Sequence, residues 1–181
     1  MKITWLFFLL CCLPRAGWAQ GNVLHPDDAN SHVGFVIKNF GISIDGSFNG
    51  LAGDIQFDGN HPTQAKFDVT VKTATINTGN KKRDNHLRSD DFFDAVKFPL
   101  IRIKGELPKP TADGKSYILQ ATIDMHGITG QTSIPFTVKK EGDAWLFEGT
   151  FTVNRLNYKV GGTSMTMADE AKVSLKIYAR P

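Results

Sequence analysis

Apolar residues fall on every second position through most of this chain. Phe67, Val69 and Val71 do so, as do Leu119, Ala121, Ile123 and Met125, and Val173, Leu175 and Ile177 alternate with Lys172, Ser174 and Lys176. Successive side chains of an extended strand point to opposite faces, so this period marks strands that are buried on one face and wet on the other. Shorter runs repeat it at Phe35 and Ile37, Ile55 and Phe57, Ile101 and Ile103, Ile134 to Val138, and Trp145 to Val153, giving about eight strands in all. Turn residues separate them at Asp58-Gly59-Asn60, Asp113-Gly114 and Glu141-Gly142-Asp143. The expectation is an all-β chain of sequential antiparallel hairpins. Two stretches depart from it: residues 83–93, read as a short helical segment, and 161–170, read as a loop or one helical turn. Periodicity alone admits either a sandwich or a closed barrel.

The N-terminus has Lys2, an apolar run from Ile3 to Leu13, the breaker Pro14 and the small residues Gly17 and Ala19. That order is a signal peptide over residues 1–19, cut before Gln20, leaving one domain over 20–181 in a periplasm or outside the cell. As a helix the run reaches only about 17 Å, against a hydrocarbon core of about 30 Å, which disfavours a membrane anchor. Cys11 and Cys12 both lie in the leader, so the mature domain is expected to carry neither thiol nor disulfide. Cleavage also removes Lys2 and Arg15 from a total of 21 basic and 18 acidic residues, which leaves a net charge near +1 and no basic face for nucleic acid.

Catalytic patterns are sparse. Asp84, His86, Asp90, Asp91 and Asp94 supply the groups of a metal-assisted enzyme, but their spacing matches no HExxH, CxxC or calcium-loop pattern, and capping and ion pairing account for them better. Ser31, Ser43 and Ser164 lack a GxSxG context, and no glycine-rich phosphate loop is present. No catalytic residue, metal or cofactor is therefore expected.

The segment from Ile76 to Pro99, INTGNKKRDNHLRSDDFFDAVKFP, places a dense cluster of charges beside paired phenylalanines. It resembles the recurring TGN..RD.HLRS.DFFD segment of the YceI-like family of secreted lipid-binding proteins, followed here by Phe98-Pro99. NSHVGFVIKNFGISIDGSFNGLAGDIQFD, YILQATIDMHGITGQTSIPFTV and FTVNRLNYKVGG are similar to other parts of the same family, so the likeness spans the mature region. Asn39 departs from the pattern, standing where many members carry a histidine.

The resemblance implies an extended antiparallel barrel of about eight strands, lipocalin-like, around an apolar cavity. It implies a non-catalytic role: binding, storage or transport of a polyisoprenoid or similar amphipathic lipid, such as an isoprenoid quinone or prenyl phosphate, with transient membrane contact. In such a cavity, alternation turns Phe35, Ile37, Phe67, Val69, Leu119, Ile123, Phe136, Trp145, Phe147 and Phe151 inward as lining. Arg83, His86, Arg88, Arg155 and Tyr158 are the candidate headgroup or rim residues, arginine offering a planar fork to oxyanions. A barrel filled by its own aromatics, acting as an interaction module or a homodimer across strand edges, has the same alternation.

Overall fold

The computed structural model describes residues 22–181, so the leader read at 1–19 lies outside the described residues. Eleven strands form one antiparallel sheet: β1 (Asn22–Pro26), β2 (His32–Asn39), β3 (Ile42–Phe48), β4 (Ala52–Phe57), β5 (Lys66–Lys72), β6 (Leu100–Glu106), β7 (Lys109–Pro110), β8 (Tyr117–Met125), β9 (Ile128–Glu141), β10 (Ala144–Asn154) and β11 (Met167–Arg180). Neighbours run β1-β4-β5-β6-β8-β9-β10-β11, and β11 returns to β1 through His25 opposite Arg180 and Pro26 opposite Ala179. The sheet is thereby closed into an eight-stranded barrel.

Eleven segments make eight staves because two staves are broken. β2 and then β1 lie in succession along β11, interrupted at residues 27–31, and β3 and β4 pair with them in turn, interrupted at 49–51. β7 is a two-residue appendage to β8. Aspartates bind the breaks together. The Asp28 carboxylate accepts hydrogen bonds from the backbone N–H groups of Gly50 (3.1 Å) and Leu51 (2.8 Å). Asp27 donates its backbone N–H to the Tyr178 carbonyl at 2.7 Å, and its carboxylate takes the Asn30 amide at 2.8 Å and the Arg180 guanidinium.

The hairpins β2–β3 and β8–β9 turn on residue pairs that alternation alone does not single out, Phe40-Gly41 (φ 51 and 75) and His126-Gly127 (φ 52 and 75). Positive φ at both central residues is the requirement of a type I′ turn, and only the glycine in each pair announces it. The irregular stretch 161–166 contains no helical turn; that turn lies earlier, as a 3₁₀ helix at Arg155–Tyr158. The Asn154 side chain caps it at the Leu156 N–H, and Lys159 ends it at φ 54.

The one α-helix among the described residues, α1 (Lys81–Arg88), begins slightly ahead of the stretch read from sequence, because the Asn80 side chain accepts the Arg83 N–H and starts it there. It ends at Ser89, and the chain continues through turns to Phe98. α1 stands in a seam. β4 pairs with β5 only as far as Ala52 opposite Thr70, and beyond that point the end of β5 and the segment after it are tied to the end of β3 and residue 49 by the Lys72 N–H donating to the Asn49 carbonyl (3.1 Å) and by Ser47 opposite Asn77. Phe93, from the turns after α1, packs edge-on against Phe48 at 5.6 Å.

The Asp27 carboxyl is held below the usual carboxylate range, first by the Asn30 side chain and further by Arg180. A depressed folded-state pKa gives stability that is complete above the unfolded value near 3.9 and is lost as pH falls through the folded value. Asp27→Ala is therefore expected to lower Tm at neutral pH, with the gap to wild type shrinking as the pH falls below the unfolded value. Thermal unfolding followed by circular dichroism across that range checks it; a gap independent of pH contradicts it.

Candidate functional site

The barrel is long, and its two ends differ. On β11, Asn39 faces Met167 while Trp145 faces Ala179, so these residues mark ends separated by roughly 40 Å at about 3.3 Å per residue. At the Trp145 end, Phe57 meets Trp145 at 4.8 Å and Phe147 at 5.1 Å, and Phe67 meets Phe147 at 5.6 Å and Phe136 at 5.5 Å. With Leu24, Ile55 and Ala65 buried beside them, these rings form a packed floor.

Above the floor the interior is hollow. Val33, Phe35, Val69, Ile103, Val173 and Leu175 point inward yet remain partly accessible, because the space in front of them is empty. The cavity has a volume of ≈ 240 Å³ and is lined from Ile177 to Met167 along β11, a run of roughly 33 Å at about 3.3 Å per residue. So little volume over such a length describes a narrow channel that suits a slender chain rather than a compact ligand. Its wall is aliphatic and aromatic, with Asn39, Thr70, Thr78, Arg83, Glu148 and Arg155 as polar members.

Of the residues that alternation turned inward, Phe35, Ile37, Phe67, Val69, Leu119, Ile123, Phe136, Phe147 and Phe151 line this cavity. Trp145 does not: its ring belongs to the floor alone, packed against Phe57 and Gly59. Leu87, Phe92 and Phe93, from α1 and the turns after it, also line the channel. They escape a period-two reading because they belong to no strand.

The rim residues divide similarly. Arg83 lines the cavity; its Nε donates to Thr78 Oγ1 (2.7 Å) and its Nη2 to the Thr78 carbonyl (2.8 Å). Among the described residues, arginine ion pairs involve Arg102, Arg155 and Arg180 but not Arg83. Arg83 thus has no carboxylate partner of its own among the described residues, although the Thr78 hydroxyl that accepts its Nε–H donates in turn to Asp84. His86 lies off the channel, stacked edge-on against Phe92 at 4.9 Å and 3.2 Å from Asp91. Arg88 is spent on the backbone, donating to the carbonyls of Ala74 (2.8 Å) and Ile76 (3.1 Å). Tyr158 is a buried wedge over Gly130 outside the lining, its hydroxyl pushed above the usual tyrosine range by burial and then by the charge of Asp124.

Arg155 reaches the lining but acts as a clamp. Its guanidinium donates to the carbonyls of Ala168 (2.9 Å), Val160 (3.1 Å) and Gly162 (2.7 Å) and to Asp169 (3.2 Å), fixing the irregular stretch that leads into β11. Asn39 has the opposite character. Its Oδ1 is buried without a hydrogen-bond partner in the cavity wall, and a desolvated acceptor of this kind costs about 1–3 kcal/mol until a donor meets it.

The acidic cluster does not assemble into a centre. Asp84 is buried and accepts from the Thr78 N–H (2.8 Å) and hydroxyl (2.5 Å), His86 turns to Asp91, and Asp94 caps the Lys97 N–H (3.4 Å). Among the described residues, no three His, Cys, Asp or Glu side chains converge as a metal site.

A family model described as the YceI-like domain matches residues 25–179. A UPF0312 protein of Pseudomonas fluorescens is 35% identical over 151 residues, covering 77% of this chain and 76% of the relative. Another from Pseudomonas savastanoi is 31% identical over 155 residues, covering 82% and 80%. Among solved structures, BcnA of Burkholderia cenocepacia superposes with a TM-score of 0.79 at 23% identity, over 84% of this chain and 98% of that one. A polyisoprenoid binding domain from Saccharophagus degradans, implicated in plant cell wall breakdown, gives 0.68 at 14% identity over 87% and 97%. At those identities the likeness is one of fold.

Removing the Arg155 guanidinium strands three carbonyls and Asp169. Arg155→Ala is expected to cost about 3–5 kcal/mol, and Arg155→Lys to recover only part of it, since an ammonium cannot reproduce the planar fork. Urea unfolding of the three proteins measures both values; an Arg155→Ala loss below about 1 kcal/mol contradicts the clamp.

Proposed function

The chain belongs to the YceI-like family, and on that premise we propose that it is a non-catalytic carrier of a polyisoprenoid or similar long-chain amphipathic lipid, exported by its leader to a periplasm or beyond. The observation that carries this reading is the narrow apolar channel above a packed aromatic floor. A barrel serving only as an interaction module would gain stability from filling that space, since buried voids forfeit packing contacts. A lipid tail leaving a bilayer for this channel passes between two dry environments, so exchange is near balance, as a carrier or reservoir requires.

Arg83 and Asn39 are the groups proposed to meet the polar end. Arg83 presents a cation without a carboxylate partner of its own among the described residues, and Asn39 an acceptor without a donor. A headgroup with both an oxyanion or carbonyl oxygen and a hydroxyl satisfies the two together. His86, Arg88 and Tyr158 have no part in this reading, because their polar atoms are engaged elsewhere or lie off the channel.

The experiment is native mass spectrometry of the exported protein with solvent extraction. A stoichiometric long-chain lipid is expected, and an empty barrel that also takes up neither ubiquinone nor a prenyl phosphate refutes the proposal. Val173→Trp fills the hollow part of the channel and is expected to abolish lipid retention with Tm unchanged or raised; full retention in that variant contradicts the channel assignment. Arg83→Leu is expected to weaken an anionic prenyl phosphate by at least about tenfold, as loss of a charged hydrogen bond does, while a neutral ligand of equal tail length is weakened less. Equal losses for both ligands exclude Arg83 as the charge reader.

A further inference from the structure

At the end of the barrel opposite the aromatic floor, the β2–β3 turn and the stretch before β11 leave large apolar side chains unburied: Phe40 is 75% exposed, Ile42 66% and Met165 fully so. They form one patch. The Phe40 N–H donates to the Thr166 carbonyl at 2.8 Å, and Asn39 pairs with Ile42 on one side and Met167 on the other. Asn39 and Met167 are themselves channel lining, so the patch is continuous with the rim of the cavity.

Two further observations say what covers it. Residues 37–44 and 161–167 hold a single charged side chain, Lys38, and no acidic one, while the charges of this end, Asp90, Asp91, Asp94 and Lys97, sit on the neighbouring turns after α1, which reach Gly161 through Phe92. The tip also sets a bulky residue where its turn favours asparagine or glycine, since Phe40 sits at φ 51. That choice strains the backbone, and the exposed ring returns no packing within the molecule.

We propose that this tip is a membrane-docking element: Phe40, Ile42 and Met165 insert into the headgroup boundary of a lipid bilayer, with Lys38 toward its anionic phosphates, and bring the channel mouth onto the membrane. A patch of this kind suits a bilayer because the contact is small, apolar and almost without directional hydrogen-bonding groups, while the adjoining cavity is apolar too. The proposal rests on the carrier reading for its purpose, but not for its geometry.

The test is flotation with vesicles of phosphatidylethanolamine containing a minor share of phosphatidylglycerol. Wild type is expected to float with them. The triple variant Phe40→Asn, Ile42→Thr, Met165→Ser, which keeps a turn-compatible Asn-Gly pair, is expected to partition at least about tenfold less, with Tm unchanged or raised and extractable lipid unchanged. Transfer of bound lipid to the vesicles is expected to slow by a similar factor. Phe40→Trp supplies a second readout, a blue shift of emission on adding vesicles, against the background of Trp145 at the far end. Equal flotation of wild type and triple variant overturns the proposal, as does no flotation of wild type, or a patch that only drives self-association, seen as a dimer in sedimentation that the triple variant abolishes. Docking by a protein that contains and takes up no lipid removes the carrier reading and leaves the docking element standing.

Discussion

Ring closure along β11 is the constraint on which everything else depends. That strand pairs with β10 on one flank along most of its length, and its other flank is shared between β2 and β1. The returning N-terminal stave is in two pieces, and β11 meets β1 through only two residue pairs. Asp27, Asp28 and Arg180 supply by side chain what the interrupted ladder lacks. Because the ring is closed, alternation becomes a division between an enclosed interior and water, and the hollow that follows is set by side-chain size along the staves.

The interior is therefore a problem of volume more than of polarity. Large rings fill the section near Trp145, while Val69, Ile103, Val173 and Leu175 leave the section above it open. Gly130 makes room for the Tyr158 ring and Gly105 for Leu119, where a Cβ would collide at 2.4 and 2.8 Å. Small residues are thus placed where a large neighbour crosses, so that local filling and local emptiness arise from the same alternating pattern.

Much of this was legible in the residues. Alternation fixed which side chains point inward, and the family-like segment around Arg83 marked where the chain leaves the sheet. What alternation does not contain is distance. It assigns Trp145 and Phe147 to one face alike, although one belongs to the floor alone and the other lines the cavity as well. Nor does it reveal that Arg88 is held by carbonyls of Ala74 and Ile76 while Arg83 is held by Thr78 at the channel wall, since those partners meet only in the folded seam. The membership of Leu87, Phe92 and Phe93 was hidden for the same reason.

The aromatic floor has one more consequence. A tube open at both ends is indifferent to the length of what passes through it, but a tube stopped at one end is a ruler. Phe67, Phe136 and Phe147 define its zero mark. For a carrier of the kind proposed, tails shorter than the channel would leave apolar wall unmatched and longer ones would fold back or trail into water, so homologous chains would be graded by carbon count without a single specific contact along their length.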